Sequence, residues 1–120
     1  MVFGISDEAA RALELDDWGL LAPPVGVPLD DPMATRGRSF FQSSDGRINT
    51  GLWECAAGRM RADFGADGEF LHVVAGRMLC QPDDGAPFAL GPGDTATFPP
   101  GWTGVWTLEE TLRKLYCTFA

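Results

Sequence analysis

A chain of 120 residues is of single-domain length, and an apolar content of 45% is enough to fill one core. Nine lysines and arginines stand against seventeen acidic residues, giving a net charge of −8 with no basic run. That balance argues against nucleic acid and anionic membrane surfaces as partners. No apolar segment approaches the length of a membrane span, and no basic region followed by an apolar run opens the chain. Cys55, Cys80 and Cys117 include no C-x-x-C pair, so they read as reduced thiols filling a core. Together these features predict a cytoplasmic protein with no nucleic-acid and no membrane partner.

Taken in chain order, Ser6 is a candidate N-cap followed by Asp7 and Glu8, which predicts a short helix over 6–15. Pro23, Pro24, Pro28 and Pro32 forbid a regular helix or a central strand, so 20–37 reads as extended. Residues 1–37 are therefore an N-terminal arm, and 38–120 the globular part. From Arg38 onward the pattern changes to strands, predicted over 39–42, 48–55, 59–64, 70–74, 77–81, 88–90, 95–98, 103–108 and 112–119. Ser43-Ser44-Asp45-Gly46 and Ala75-Gly76 are tight-turn signals between them. About nine short strands separated by turns predict an all-β sandwich or barrel.

Two Gly/Pro-punctuated blocks stand out, EFLHVVAG over 69–76 and GPGDTATFPPGWTGVW over 91–106. The first cupin motif is G-x5-H-x-H-x3/4-E-x6-G, and the second is G-x5-P-x-G-x2-H-x3-N. Glu69, six residues and Gly76 fit the end of the first motif, while Gly93, Pro99 and Gly101 fit the start of the second. The chain resembles the cupins over 50–119. More narrowly, it is similar to the small single-domain cupins related to (S)-ureidoglycine aminohydrolase and the ethanolamine-utilisation cupins. The segments TGLWEC (50–55), GRMR (58–61), GEFLHV (68–73), GWTGVW (101–106) and RKLY (113–116) carry that closer likeness. It implies an all-β cupin fold, a double-stranded β-helix or jelly-roll barrel, with the Pro-rich arm and one short helix added. It also implies a homodimer.

Most cupins hold a metal with the motif histidines. Placed by spacing, the first two histidine positions fall on Ala62 and Phe64 or, in the alternative register, on Asp63 and Gly65. The third falls on Gly104, and the motif asparagine falls on Leu108. Only Glu69 remains, whereas a transition-metal site needs three or four protein ligands. Asp63 beside Glu69 would suit a weakly held hard cation at best. We therefore expect no metal and no cofactor.

Strand alternation then sorts side chains into faces. The resemblance implies that Glu69 takes the inward ligand position; Leu71 and Val73 then share its face, and His72, the only histidine, points the other way. Met60 shares the face of Ala62 and Phe64, and Trp102 and Trp106 share that of Gly104. The predicted ligand-binding pocket is Met60, Ala62, Phe64, Glu69, Leu71, Trp102, Gly104 and Trp106, with the facing of Trp53 and Tyr116 open. The same aromatics could instead simply fill a small barrel.

A lone carboxylate among aromatic rings suits an anchor for a small polar, amino- or ureido-type metabolite, with cation–π attraction if the ligand carries an ammonium. The ureido chemistry is what the resemblance implies. The same carboxylate is a candidate catalytic acid or base, which would make a metal-independent isomerase or hydrolase. A third reading is a non-catalytic dimerisation or interaction module whose barrel is plain core.

Overall fold

Along most strands after residue 34, burial alternates with a period near two, which puts one face of a sheet on a core. In the computed structural model, which describes residues 2–120, this pattern builds two antiparallel sheets packed face to face. The strands are β1 (Asp16–Leu20), β2 (Val27–Pro28), β3 (Ala34–Gln42), β4 (Ile48–Cys55), β5 (Gly58–Asp63), β6 (Gly68–Ala75), β7 (Met78–Pro82), β8 (Phe88–Leu90), β9 (Thr95–Phe98), β10 (Thr103–Leu108) and β11 (Leu112–Phe119), preceded by the helix α1 (Asp7–Ala12). The larger sheet runs β1-β3-β4-β11-β6-β9 and the smaller β2-β5-β10-β7-β8. This is the expected all-β jelly-roll barrel.

Between the sheets one apolar cluster runs from Phe98 and Ala62, near the open end, to the closed end. Met78, Leu108, Leu112 and Cys55, at most 1% exposed, close that end. Register places Glu69 opposite Thr118 and Ala62 opposite Gly104 at the other end, where the barrel is open. The tight turn after β6 depends on Gly76, at φ 86°, because a Cβ there would come within 2.2 Å of the Thr111 carbonyl oxygen.

The segment before residue 38 corrects the expectation of a separate arm. The helix is shorter than 6–15, β1 pairs with β3, β2 pairs with β5, and β3 already starts at Ala34. A boundary at 37/38 would cut through β3. Prolines did not prevent this, because Pro28 lies in an edge strand that needs hydrogen bonds on one side only. β1 is held partly by Trp18, whose ring lies where a side chain on Gly37 would stand, 2.3 Å from the ideal Cβ.

At six residues, α1 is too short to persist alone. Ser6 caps it, with Oγ accepting from the Ala9 amide at 3.1 Å. Ala10 and Leu15 pack with Leu52 and Val74 on the outer face of the larger sheet. The carbonyls at its C-terminal end accept from Arg113, whose Nη1 donates to Ala10, Arg11 and Leu13 at 3.0, 3.1 and 2.9 Å. Arg113 also pairs with Glu54 at 3.1 Å. His72 lies on this outer face, opposite Leu115 in register, and points away from the barrel interior as alternation predicts.

Candidate functional site

The centre of the open end is a buried ion pair that the sequence reading did not contain. Lys114 Nζ donates to Glu69 Oε2 at 2.5 Å, with the two side chains only 6% and 7% exposed. Glu69 sits opposite Thr118 on β11, whereas Lys114 sits opposite Val73. The two Cα positions are therefore about 13 Å apart along the strands. Contact requires both long side chains to lean towards each other. Lys114 Nζ also lies over two indole rings, 4.5 Å from the Trp53 centroid and 4.7 Å from that of Trp106. Carboxylate and two ring faces together compensate a charge that would otherwise be costly to bury. The reading of Glu69 as a lone carboxylate is thus corrected.

Two cavities flank this pair. One, of about 470 Å³, is lined on one side by Trp18, Leu20, Leu21 and Val25 and on the other by Ser39, Asn49, Tyr116 and Thr118. The second, of about 450 Å³, runs along Met60, Ala62, Phe64 and Trp106 to the 65–68 loop. Val25, Trp53, Glu69, Lys114 and Thr118 border both. The ion pair is therefore a shared wall. The N-terminal segment supplies much of the first cavity through Trp18, Leu20, Leu21 and Val25.

Of the residues placed in the pocket by alternation, Met60, Ala62, Phe64, Glu69 and Trp106 border the second cavity. Leu71, Trp102 and Gly104 border neither. Leu71 is fully buried in the core. Trp102 packs edge-on against Phe98 at 4.9 Å and lies over Gly104, with a ring atom 2.5 Å from where a Cβ would stand. Trp102 thereby fills the space the missing Gly104 side chain leaves. Trp53 and Tyr116, whose facing alternation leaves open, both line the first cavity. Tyr116 fits because its neighbour on β4 is Gly51, whose Cβ would come within 2.6 Å of the phenol oxygen.

The alternative register fails. Asp63 lies at the edge of the second cavity, 54% exposed, and its carboxylate pairs with Arg61 at 2.8 Å. Asp63 and Glu69 therefore do not form a two-carboxylate site.

One signal could have exposed Lys114. In the strand LRKLYCTF, adjacent Arg113 and Lys114 must point to opposite faces, so one of two cations enters the barrel. The facing of Tyr116 is open in the sequence, so the structure makes the choice, and it is Lys114.

Burial governs titration around the pair. The Cys55 and Cys80 thiols are pushed up to about 11 and about 12 by desolvation, partly offset by the charge of Lys114. Tyr116 is raised above its ordinary value by desolvation first and by the Glu69 charge second.

A model of the EutQ-like cupin domain matches residues 42–116. The chain belongs to the EutQ-like cupin domain family. A search of curated protein sequences finds no match. Among solved structures, the fold resembles a DUF861 family protein of unknown function from Pseudomonas syringae pv. tomato (TM-score 0.77, 18% identity, 90% of this chain covered). The chain spans only 45% of that protein's length. It also resembles the Clostridium difficile EutQ protein (TM-score 0.61, 17% identity), covering 72% of this chain and 68% of that one. A third likeness is to the polyketide cyclase RemF from Streptomyces resistomycificus (TM-score 0.66, 18% identity), covering 99% of this chain and 80% of that one. At these identities the likenesses speak for the fold alone.

The metal centre common among cupins does not fit the residues this EutQ-like cupin presents. Ala62, Phe64 and Gly104 offer no donor atoms, and Trp102 fills the space in front of Gly104. Glu69 Oε2 is already engaged by an ammonium. Among the described residues no three His, Cys, Asp or Glu side chains converge. No helix among them is long and apolar enough to cross a membrane.

Proposed function

We propose that this cupin binds a small, uncharged molecule carrying an amide- or ureido-type group, and that the Glu69–Lys114 pair reads that group without a transition metal. The observation that carries the reading is the placement of the pair in the wall common to both cavities. A C(=O)–N–H unit presents an acceptor beside a donor, and the pair presents the complement. Lys114 Nζ can donate to the ligand carbonyl. Glu69 Oε1, which accepts no hydrogen bond from the described residues, can take the N–H.

Charge favours a neutral ligand. The pair sums to zero, so an added buried ion would find no counter-charge beside it. The first cavity supports the same class, because its hydroxyl and amide side chains face an apolar wall. An amphipathic lining with a few convergent polar groups is usual for small-molecule sites.

The test is calorimetric titration with a series of primary amides and alkylureas, with tryptophan fluorescence as second readout. Binding with Kd on the order of 0.1–1 mM is expected for compounds of this size. Lys114→Met should abolish it and Glu69→Gln weaken it. Absence of heat and of a fluorescence change across the series at saturating concentration would refute the proposal.

A further inference from the structure

The geometry points to a second capacity of the same wall: Lys114 forms an imine with a small aldehyde or ketone, with Glu69 carrying the proton. This goes beyond amide recognition and does not need it, since amides and ureas do not condense with amines under these conditions.

Lys114 is the only lysine in the chain. It is 5% exposed, yet it borders two cavities. An ion pair so placed is weak evidence for a stabilising role, because well-packed apolar residues of similar volume commonly do as well or better. Chemistry offers a reason for it. A buried lysine amine is the usual nucleophile for carbonyl carbon, and it needs a neighbouring group to take its proton. Glu69, 2.5 Å away, is that group. The Trp53 and Trp106 rings over Nζ restrict water around the amine and would face the cationic iminium that forms. Cys55 and Cys80 do not compete, since neither borders a cavity and burial keeps both thiols protonated.

The step balances within the pair. Lys114 passes a proton to Glu69, and the free amine forms a C–N bond to the carbonyl carbon. A second amine proton reaches the carbinolamine oxygen by way of Glu69. Glu69 then returns the first proton to that hydroxyl as the C–O bond breaks, and water leaves. The products are a protonated imine on Lys114, the Glu69 carboxylate and one water, with charge unchanged. No oxidant, reductant or metal enters.

Because the chain has one lysine, the test is clean. The full chain is incubated at neutral pH with propanal and sodium cyanoborohydride, which reduces an imine to a stable secondary amine, and peptide mass spectrometry reads the site. Folded protein should be propylated at Lys114 at least about tenfold faster than urea-unfolded protein under the same reagent. Glu69→Gln should remove that advantage while leaving the labelling rate of the N-terminal amine unchanged. The wild-type comparison stands without any variant, so a Glu69→Gln chain that fails to fold does not blunt it. Propylation of Lys114 that is slower in the folded than in the unfolded chain would overturn the inference, as would labelling confined to the N-terminus. Amide binding in the calorimetric titration would survive that result.

Discussion

Replacing Lys114 with methionine removes an ammonium and keeps the length and apolar stem of the side chain. In the wild type, Glu69 is compensated by that ammonium alone, at 2.5 Å and 7% exposure. In the variant, an ionised carboxylate would remain buried beside indole rings. Breaking a buried pair from one side costs about 3–5 kcal/mol. That is a large part of the 5–15 kcal/mol typical of a whole domain. With an unfolding entropy of ~0.25 kcal/mol/K for 120 residues, Tm should fall by roughly 12–20 °C. Glu69→Gln should cost less, about 1–3 kcal/mol, because the amide oxygen still accepts from Lys114 and both rings remain over Nζ. The double variant Glu69→Leu/Lys114→Met removes both charges and conserves volume, and should come back to within about 1 kcal/mol of wild type. Urea unfolding followed by circular dichroism measures all three. The reasoning is refuted by a Lys114→Met loss below about 1 kcal/mol, or by a double variant as unstable as that single one.

Four further outcomes follow from other contacts. Gly104→His, which restores the motif histidine, should create no metal site. Its Cβ would lie 2.4 Å from the Gln81 carbonyl oxygen and 2.5 Å from the Trp102 ring, so thermal unfolding should shift down with or without added zinc. Arg113→Met should release α1, stranding three carbonyls and leaving Glu54 with Arg36 as its one remaining partner, at a cost of about 3 kcal/mol. Limited proteolysis should then cut within residues 2–15 well before the barrel. Tyr116, the only tyrosine, should ionise above its ordinary value of 10 in an ultraviolet titration, and Glu69→Gln should bring the midpoint down. Its folded value is raised, so its contribution to stability is whole below about pH 10 and is lost as pH rises through the folded midpoint. Cys55 and Cys80 should resist a thiol reagent at neutral pH until the chain unfolds, leaving only the partly exposed Cys117 to react, as counted by mass.

The strands from residue 48 onward were legible because each is a short alternating run bounded by glycine or proline turns, and a period of two is a local property. With Glu69 inward, as the resemblance to the cupin motif implies, the outward placement of His72 followed from the same period. The N-terminal strands were not legible. β1 and β2 have no alternation of burial to read, and they exist only because β3 and β5 present edges for them. Trp102 shows the limit of alternation inside the site. It precedes β10, and its ring goes to the space left by Gly104, which only packing decides.

By itself, then, the sequence determined a jelly-roll barrel of the cupin kind whose usual metal positions are occupied by Ala62, Phe64 and Gly104. Spacing and residue type suffice for that, since side chains without donor atoms cannot ligate. Only the tertiary structure decided what stands there instead. Glu69 and Lys114 are 45 residues apart in the chain and four residues apart in sheet register. They meet because two long side chains lean along neighbouring strands under a pair of indole rings. No local pattern encodes that contact, and it turns a solitary acid into a paired acid and amine.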